Sequence, residues 1–233
     1  MKTKAKVRAT AKEMLPNRSL VHTAREVIRA IYHEKRQSIL QYVIAHPNCH
    51  VNSIYRALGL EQSVTSLFLQ ELAEVNIAIL QDNGRFVEVS INQERLANVY
   101  RWIAELYAIM LQYVEDPKIT ITKKVSGERL MAKQVSVDEK AVRSVTHVLR
   151  AFDNMHKRKL LKHLLASDQE ISVTDLYIMV RGDQAPTSNY LSRLKSLELV
   201  SARREGKFMR YKAYRKYIVA LQSYIEKSPL WKQ

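Results

Sequence analysis

The stretch that decides the fold runs VTDLYIMVRGDQAPTSNYLSRLKSLELVSARREGKF over residues 173–208, and it has a counterpart, VNSIYRALGLEQSVTSLFLQELAEVNIAILQDNGRF, over residues 51–86. The two align without a gap at an offset of 122. Val51, Tyr55, Gln62, Thr65, Ser66, Leu69, Leu72, Gly84 and Phe86 are identical to Val173, Tyr177, Gln184, Thr187, Ser188, Leu191, Leu194, Gly206 and Phe208. Arg85 becomes Lys207, a like charge. Upstream, Leu40 and Ala45 match Leu161 and Ala166 at offset 121. That period is too long for stacked solenoid repeats, so the pattern reads as one domain duplicated.

Each copy has the same layout. In the first, apolar residues at 39, 40, 43 and 44 form a helical stripe that ends before Pro47 and Asn48. A short helix over 51–58 and a turn at Gly59 lead into a helix over 62–76, with Leu69, Leu72 and Val75 inward. Two apolar runs, 77–81 and 86–91, flank Asp82-Asn83-Gly84-Arg85. Asn-Gly accepts the positive φ of a tight turn, so this is a hairpin signal. A helix over 93–113 closes the copy. The second copy repeats this with helices at 156–166, 173–180 and 184–197, a hairpin through Glu205-Gly206 and a helix at 213–227. Further helices at 19–32 and 137–154 precede the two copies. The polar stretch with Pro117 and Gly127 reads as a linker. The expected organisation is a basic arm at 1–18, a first domain at 19–114, a linker at 115–136 with a short strand at 119–121, and a second domain at 137–233.

Charge distinguishes the copies. Residues 1–116 hold 14 basic and 12 acidic side chains, net +2, whereas residues 117–233 hold 24 and 11, net +13, which together make the +15 of the chain. Within the first half, residues 1–36 are net +7 and residues 37–116 are net −5. A polyanion such as nucleic acid is the commonest partner of so basic a chain, and the second half is expected to carry most of the contact. Only 5 glycines and 5 prolines argue against a Gly-rich nucleotide fold or an all-β sandwich. With 1 cysteine no disulfide forms within the chain, which fits a reducing cytoplasm. No apolar run is long enough to span a membrane, and the basic N-terminus lacks the apolar stretch of a secretory signal.

Three helices followed by a β-hairpin is the order of a winged helix-turn-helix. The expected fold is therefore mainly α with small β-hairpin wings, in tandem. The wing sequence Leu199-Val-Ser-Ala-Arg203-Arg204-Glu205-Gly206-Lys207-Phe-Met-Arg-Tyr211 resembles that of the ArsR/SmtB family of bacterial repressors, and residues 184–194 are similar to that family's recognition helix. The likeness covers about 155–215 and, through the repeat, more weakly 35–95. It implies a DNA-binding transcriptional regulator. Family members are usually homodimers, so two copies in one chain imply a covalent pseudo-dimer that is monomeric, with higher assembly open. Family metal sensors carry paired thiols before the recognition helix. Here Glu170-Ile171-Ser172-Val173-Thr174-Asp175-Leu176 has hydroxyls at both positions, and the first copy has His50 and Asn52 there. Hydroxyls are poor ligands for soft metals, so no metal or other cofactor is expected.

With Thr187, Leu191 and Leu194 inward, the second recognition helix presents Ala185, Asn189, Ser192, Arg193 and Ser196, with Gln184 at its start and Ser188 at the edge. Asn189 can read adenine and Arg193 a guanine or a phosphate, while Tyr190 borders the face. Arg203, Arg204, Lys207 and Arg210 of the wing are candidate phosphate contacts, at least two of them facing one way. The first copy instead presents Ser63, Leu67, Gln70, Glu71 and Glu74, without a basic residue. Two carboxylates there would repel phosphates. Its remaining DNA candidates are Gln62, Ser63 and Ser66 at the helix start, with Arg56 and Arg85. Lys2, Lys4, Lys6, Arg8 and Lys12 form a basic arm that either trails along DNA or is a plain tail.

His46, Cys49 and His50 share one loop but lack a second cluster to complete a metal set. No nucleophile elbow, phosphate-cradling glycine loop or metalloprotease helix is present, so no catalysis is expected. Besides a sequence-specific regulator of double-stranded DNA, two readings stay open. One is a protein-interaction module using an exposed Leu67–Phe68 patch, and the other is a non-specific nucleic-acid-binding architectural protein.

Overall fold

The computed structural model describes residues 14–115 and 138–231. The basic arm at 1–13 and the linker at 116–137, including the strand expected at 119–121, lie outside the described residues. In order, the elements are α1 (Arg18–Ile31), α2 (Glu34–Ala45), β1 (Cys49–His50), α3 (Val51–Leu58), α4 (Gln62–Glu74), β2 (Ala78–Asn83), β3 (Phe86–Ile91) and α5 (Gln93–Glu115). They continue with α6 (Glu139–Asp153), α7 (Met155–Ala166), β4 (Ile171–Ser172), α8 (Val173–Val180), α9 (Gln184–Ser196), β5 (Val200–Glu205), β6 (Phe208–Ala213), α10 (Arg215–Lys227) and a final 3-10 turn, Pro229–Trp231. The chain is mainly helical with two small antiparallel sheets of three strands, ordered β1-β3-β2 and β4-β6-β5.

The offset of 122 holds for the backbone as well as for side chains. α3, α4, β2 and β3 begin 122 residues before α8, α9, β5 and β6, and α2 begins 121 before α7. Left-handed residues recur at the same interval, Gly59 with Arg181 (φ 62° and 52°) and Asn76 with Glu198 (φ 59° and 55°). After α4 and α9, Ile77 N–H donates to Leu72 O and Leu199 N–H to Leu194 O, bonds that end each helix on a tight left-handed turn. The short β1 and β4 strands, absent from the sequence reading, pair with β3 and β6 as Cys49↔Val89 and Ile171↔Tyr211. Two-residue strands have no periodicity of their own to detect.

The hairpin turns lie one residue later than the Asn-Gly and Glu-Gly pairs suggest. Asn83 still pairs with Phe86 and Glu205 with Phe208, so the loop residues are Gly84-Arg85 and Gly206-Lys207. Positive φ falls on the glycine, the first loop residue, at 63° and 60°.

Packing divides the chain into two compact units. One holds Thr23–Ala104 with 138–142, and its core gathers Ile31, Ile39, Ile54, Leu69, Leu72, Ile77, Val89 and Ile103. The other holds 14–22, 105–115 and 143–231, around Phe152, Leu160, Leu164, Leu176, Leu191, Leu194, Tyr217 and Leu221. Its unit membership differs from the 19–114 and 137–233 division because the flanking segments are tied in by specific contacts. Tyr113 stacks on Tyr217 at 4.4 Å, and Tyr224 Oη donates to Glu105 Oε2 at 2.7 Å. Arg158 Nη1 donates to Pro16 O at 2.9 Å and Phe152 O at 2.8 Å, and Arg18 pairs with Asp153 at 3.2 Å. Burial raises the phenol pKa values of Tyr113 and Tyr217 above the ordinary range.

Candidate nucleic-acid interface

Helix α9 is oriented by its buried stripe. Thr187, Leu191 and Leu194 are buried, each leucine contributing about 1.5–3 kcal/mol by leaving water. The opposite flank, Gln184, Ala185, Asn189, Ser192, Arg193 and Ser196, is exposed and Ser188 is half-buried, as the 3.6-residue period requires. Ser196 Oγ donates to Arg193 O at 2.9 Å, which occupies its hydrogen. Ser192 and Ser196 line an open groove of about 440 Å³ together with Ser201 and Ala202 of β5. The exposed flank of α9 thus abuts the strand leading into the basic hairpin.

In the hairpin, Arg203 lies opposite Arg210 across the strands, so these two share one face. Arg204 alternates to the other face, its Nε donating to Gly206 O at 3.2 Å. The Lys207 ammonium sits 5.3 Å from the centre of the Phe208 ring. Both arginines of the shared face have carboxylate partners. Arg203 donates to Glu170 Oε2 from Nε at 3.1 Å and from Nη2 at 2.9 Å, and Glu205 pairs with Arg210. The hydrogen bond from Arg203 lowers the Glu170 pKa, so this carboxylate is charged at neutral pH. A phosphate reaching this face competes with Glu170 and Glu205, two groups whose proximity the sequence did not disclose for Glu170, 33 residues from its partner.

The first copy departs from the expected picture at two residues. Glu71 is half-buried and paired with Arg36, whose side chain is only 6% exposed, so it is not a free carboxylate turned to phosphates; Glu74 alone remains exposed. Phe68 is half-buried against the Arg36 guanidinium at 5.1 Å and the His33 ring at 5.1 Å, so only Leu67, 53% exposed, remains of the apolar patch. Gln62, Ser63, Gln70, Arg56 and Arg85 are exposed and Ser66 is half-buried.

The loop candidates for metal are otherwise engaged. His46 stacks on Tyr42 at 4.4 Å, His50 packs on Phe86 at 5.0 Å, and burial pushes the Cys49 thiol pKa up, away from the thiolate that metals need. Ser172 caps α8: its Oγ accepts from Asp175 N–H at 3.1 Å and donates to Asp175 Oδ2 at 2.6 Å. Among the described residues no group of three or more His, Cys, Asp or Glu could hold a metal ion.

Two residues enter the site from α7 without any signal in the sequence. His156 stacks on Tyr190 at 5.5 Å with an interplanar angle of 10°, and burial together with the Arg193 charge lowers the Lys157 pKa. His156 lies more than thirty residues from Tyr190, and Lys157 more than thirty from Arg193, so only the packed fold brings them together. Neither a protein-family model nor a curated protein sequence matches this chain. No described helix is long and apolar enough to cross a membrane.

Proposed function

We propose that this chain is a DNA-binding transcriptional regulator built from two winged helix-turn-helix units, of which the second is the main reader of double-stranded DNA. The observation that carries this is the polar and basic flank of α9, with Asn189, Ser192 and Arg193 exposed beside a hairpin bearing Arg203, Arg204, Lys207 and Arg210. Helix order, sheet order and the likeness of residues 199–211 to ArsR/SmtB wings support the same reading. In it, α9 enters the major groove, Asn189 and Arg193 meet base edges, and the hairpin follows the phosphates. The first unit contacts DNA weakly, since its matching helix offers Leu67, Gln70 and Glu74.

Electrophoretic mobility shifts on DNA fragments selected by the purified protein test this. Arg193→Ala should abolish binding while Gln62→Ala and Ser63→Ala leave it nearly intact. Equal losses would refute the asymmetry, and equal competition by unrelated duplex would favour a non-specific architectural role. The proposed active form is the single chain, and a stable dimer on sedimentation at micromolar concentration would contradict it.

A further inference from the structure

The α7–α9 junction and its counterpart between α2 and α4 share a frame but carry opposite chemistry. At the offsets of the repeat, Lys157 corresponds to Arg36, Tyr190 to Phe68 and Arg193 to Glu71. Each junction has an imidazole packed on the aromatic ring, His33 on Phe68 and His156 on Tyr190. In the first copy the cation of α2 is neutralised by the carboxylate of α4, the Arg36–Glu71 pair. In the second copy Arg193 stands where α4 has its carboxylate, so α7 and α9, in contact through His156 and Tyr190, carry two cations at the positions where the first copy has an ion pair. A partly buried lysine beside an arginine is unfavourable without an anion, and burial with the Arg193 charge already lowers its pKa.

We infer that the junction of Lys157, Tyr190 and Arg193 is a binding site for one phosphate group of a nucleic-acid backbone. The two cations supply the charge, and Tyr190, half-buried and stacked on His156 between the same two helices, carries a hydroxyl that can donate. This deepens the DNA-binding reading and rests on it: α9 would be anchored at mid-helix by a phosphate contact, fixing the register in which Asn189 meets a base. The equivalent site of the first copy is closed, because Glu71 holds the place of the anion.

The test measures DNA affinity of the full chain against salt for the native protein, Lys157→Gln and Lys157→Arg, with melting curves for each. Loss of one phosphate contact should lower the log–log salt slope by about 0.9 and weaken binding about eightfold at 0.1 M salt. Lys157→Gln should melt no lower than the native chain, since it removes a like-charge contact, and Lys157→Arg should restore the slope. An unchanged slope in Lys157→Gln, with native binding intact, overturns the phosphate site but leaves the DNA-binding reading standing. If the native chain binds no DNA at low salt, that reading fails. In that case alone, a parallel arm with inorganic phosphate against chloride at equal ionic strength decides whether the site takes a phosphate from another source. Protection by phosphate that Lys157→Gln abolishes would overturn the nucleic-acid source in favour of a free phosphate, and no protection would overturn the site altogether.

Discussion

Replacing Glu71 by Gln should unfold the first unit far more easily than a surface substitution would. The Arg36 side chain is 6% exposed and that of Glu71 29%, so their pair is largely out of water. The change keeps the shape of the side chain and removes its charge. It leaves a buried guanidinium over the Phe68 ring at 5.1 Å, a contact contributing about 0.5–2 kcal/mol. Stranding one member of a buried pair costs about 3–5 kcal/mol, and the partial exposure of Glu71 argues for the lower end, about 3 kcal/mol. For a unit of roughly 100 residues, 1 kcal/mol shifts the melting temperature by about 4–8 °C, so the drop should be roughly 12–24 °C.

Calorimetry gives the shift, and amide hydrogen exchange read by mass spectrometry locates it: peptides from α2 and α4 should lose protection before those from α7 and α9. A second variant guards against a trivial loss of fold. Arg36→Met with Glu71→Leu replaces both charges by apolar groups and should return stability to within about 1–2 kcal/mol of the native chain. A Glu71→Gln shift below about 3 °C would refute the account, because Arg36 would then be solvated well enough not to need its carboxylate.

Arg193→Glu should convert the Lys157 junction into the ion-paired form of the first copy, raising the melting temperature by a few degrees at about 0.3–1 kcal/mol while abolishing DNA binding; a lower melting temperature counts against the equivalence of the two junctions. Gly59→Ala should cost about 1–2 kcal/mol in urea unfolding, all of it backbone, since φ is 62° and a Cβ there meets nothing within 4 Å. Arg181→Gly, at the matching left-handed position, should be neutral or stabilising, and a loss above 1 kcal/mol would show that the Arg181 side chain has a role of its own. Glu170→Gln should strengthen DNA binding and steepen its salt slope by removing the closer of the two carboxylates paired with Arg203; because the Glu170 pKa is lowered, its pairing is intact from neutral pH down through the ordinary carboxylate range and is lost only on further acidification. Burial raises the pKa values of Tyr32, Tyr100, Tyr113, Tyr211 and Tyr217, so each stabilises the fold fully below about pH 10, the ordinary tyrosine value, and that contribution is lost as pH rises towards the native values. Phenolate absorbance should accordingly appear in two stages, exposed tyrosines first and these with unfolding; a single transition near pH 10 would contradict their burial.

What the sequence disclosed follows from what a repeat and a period can encode. Identities such as Leu69 with Leu191 and Leu72 with Leu194 fall on buried positions, and their spacing oriented α4 and α9 correctly. Gly84 and Gly206 marked the hairpins because only their backbone accepts the turn, although the turn centre lies one residue later than Asn-Gly suggests. Contacts between elements distant in sequence were not legible. Glu71 read as a phosphate-facing carboxylate because a helical wheel places it beside Ser63 and Gln70; the partner that draws it inward is Arg36, on another helix. Glu170 and Lys157 were missed at the site for the same reason, since each reaches it only through packing between elements distant in sequence.

The two copies keep what the backbone demands and differ where the backbone is indifferent. Left-handed caps, helix starts and hairpin glycines recur at one interval because a change there disrupts the chain path at a cost of 1–2 kcal/mol or so. The charge at the junction of the first and third helices of each copy is not so constrained: Arg36 with Glu71 and Lys157 with Arg193 are both compatible with the same frame. The first arrangement satisfies itself, and the second leaves positive charge unspent on the helix where Asn189 is exposed. A duplicated unit selected for stability alone would tend towards the neutral pairing in both copies, since like charges at a partly buried contact weaken the fold. That only one copy has it is the reason to look for an anion at the other. At this junction a single exchange of carboxylate for guanidinium, Glu71 in α4 for Arg193 in α9, turns a self-paired contact into a cationic one.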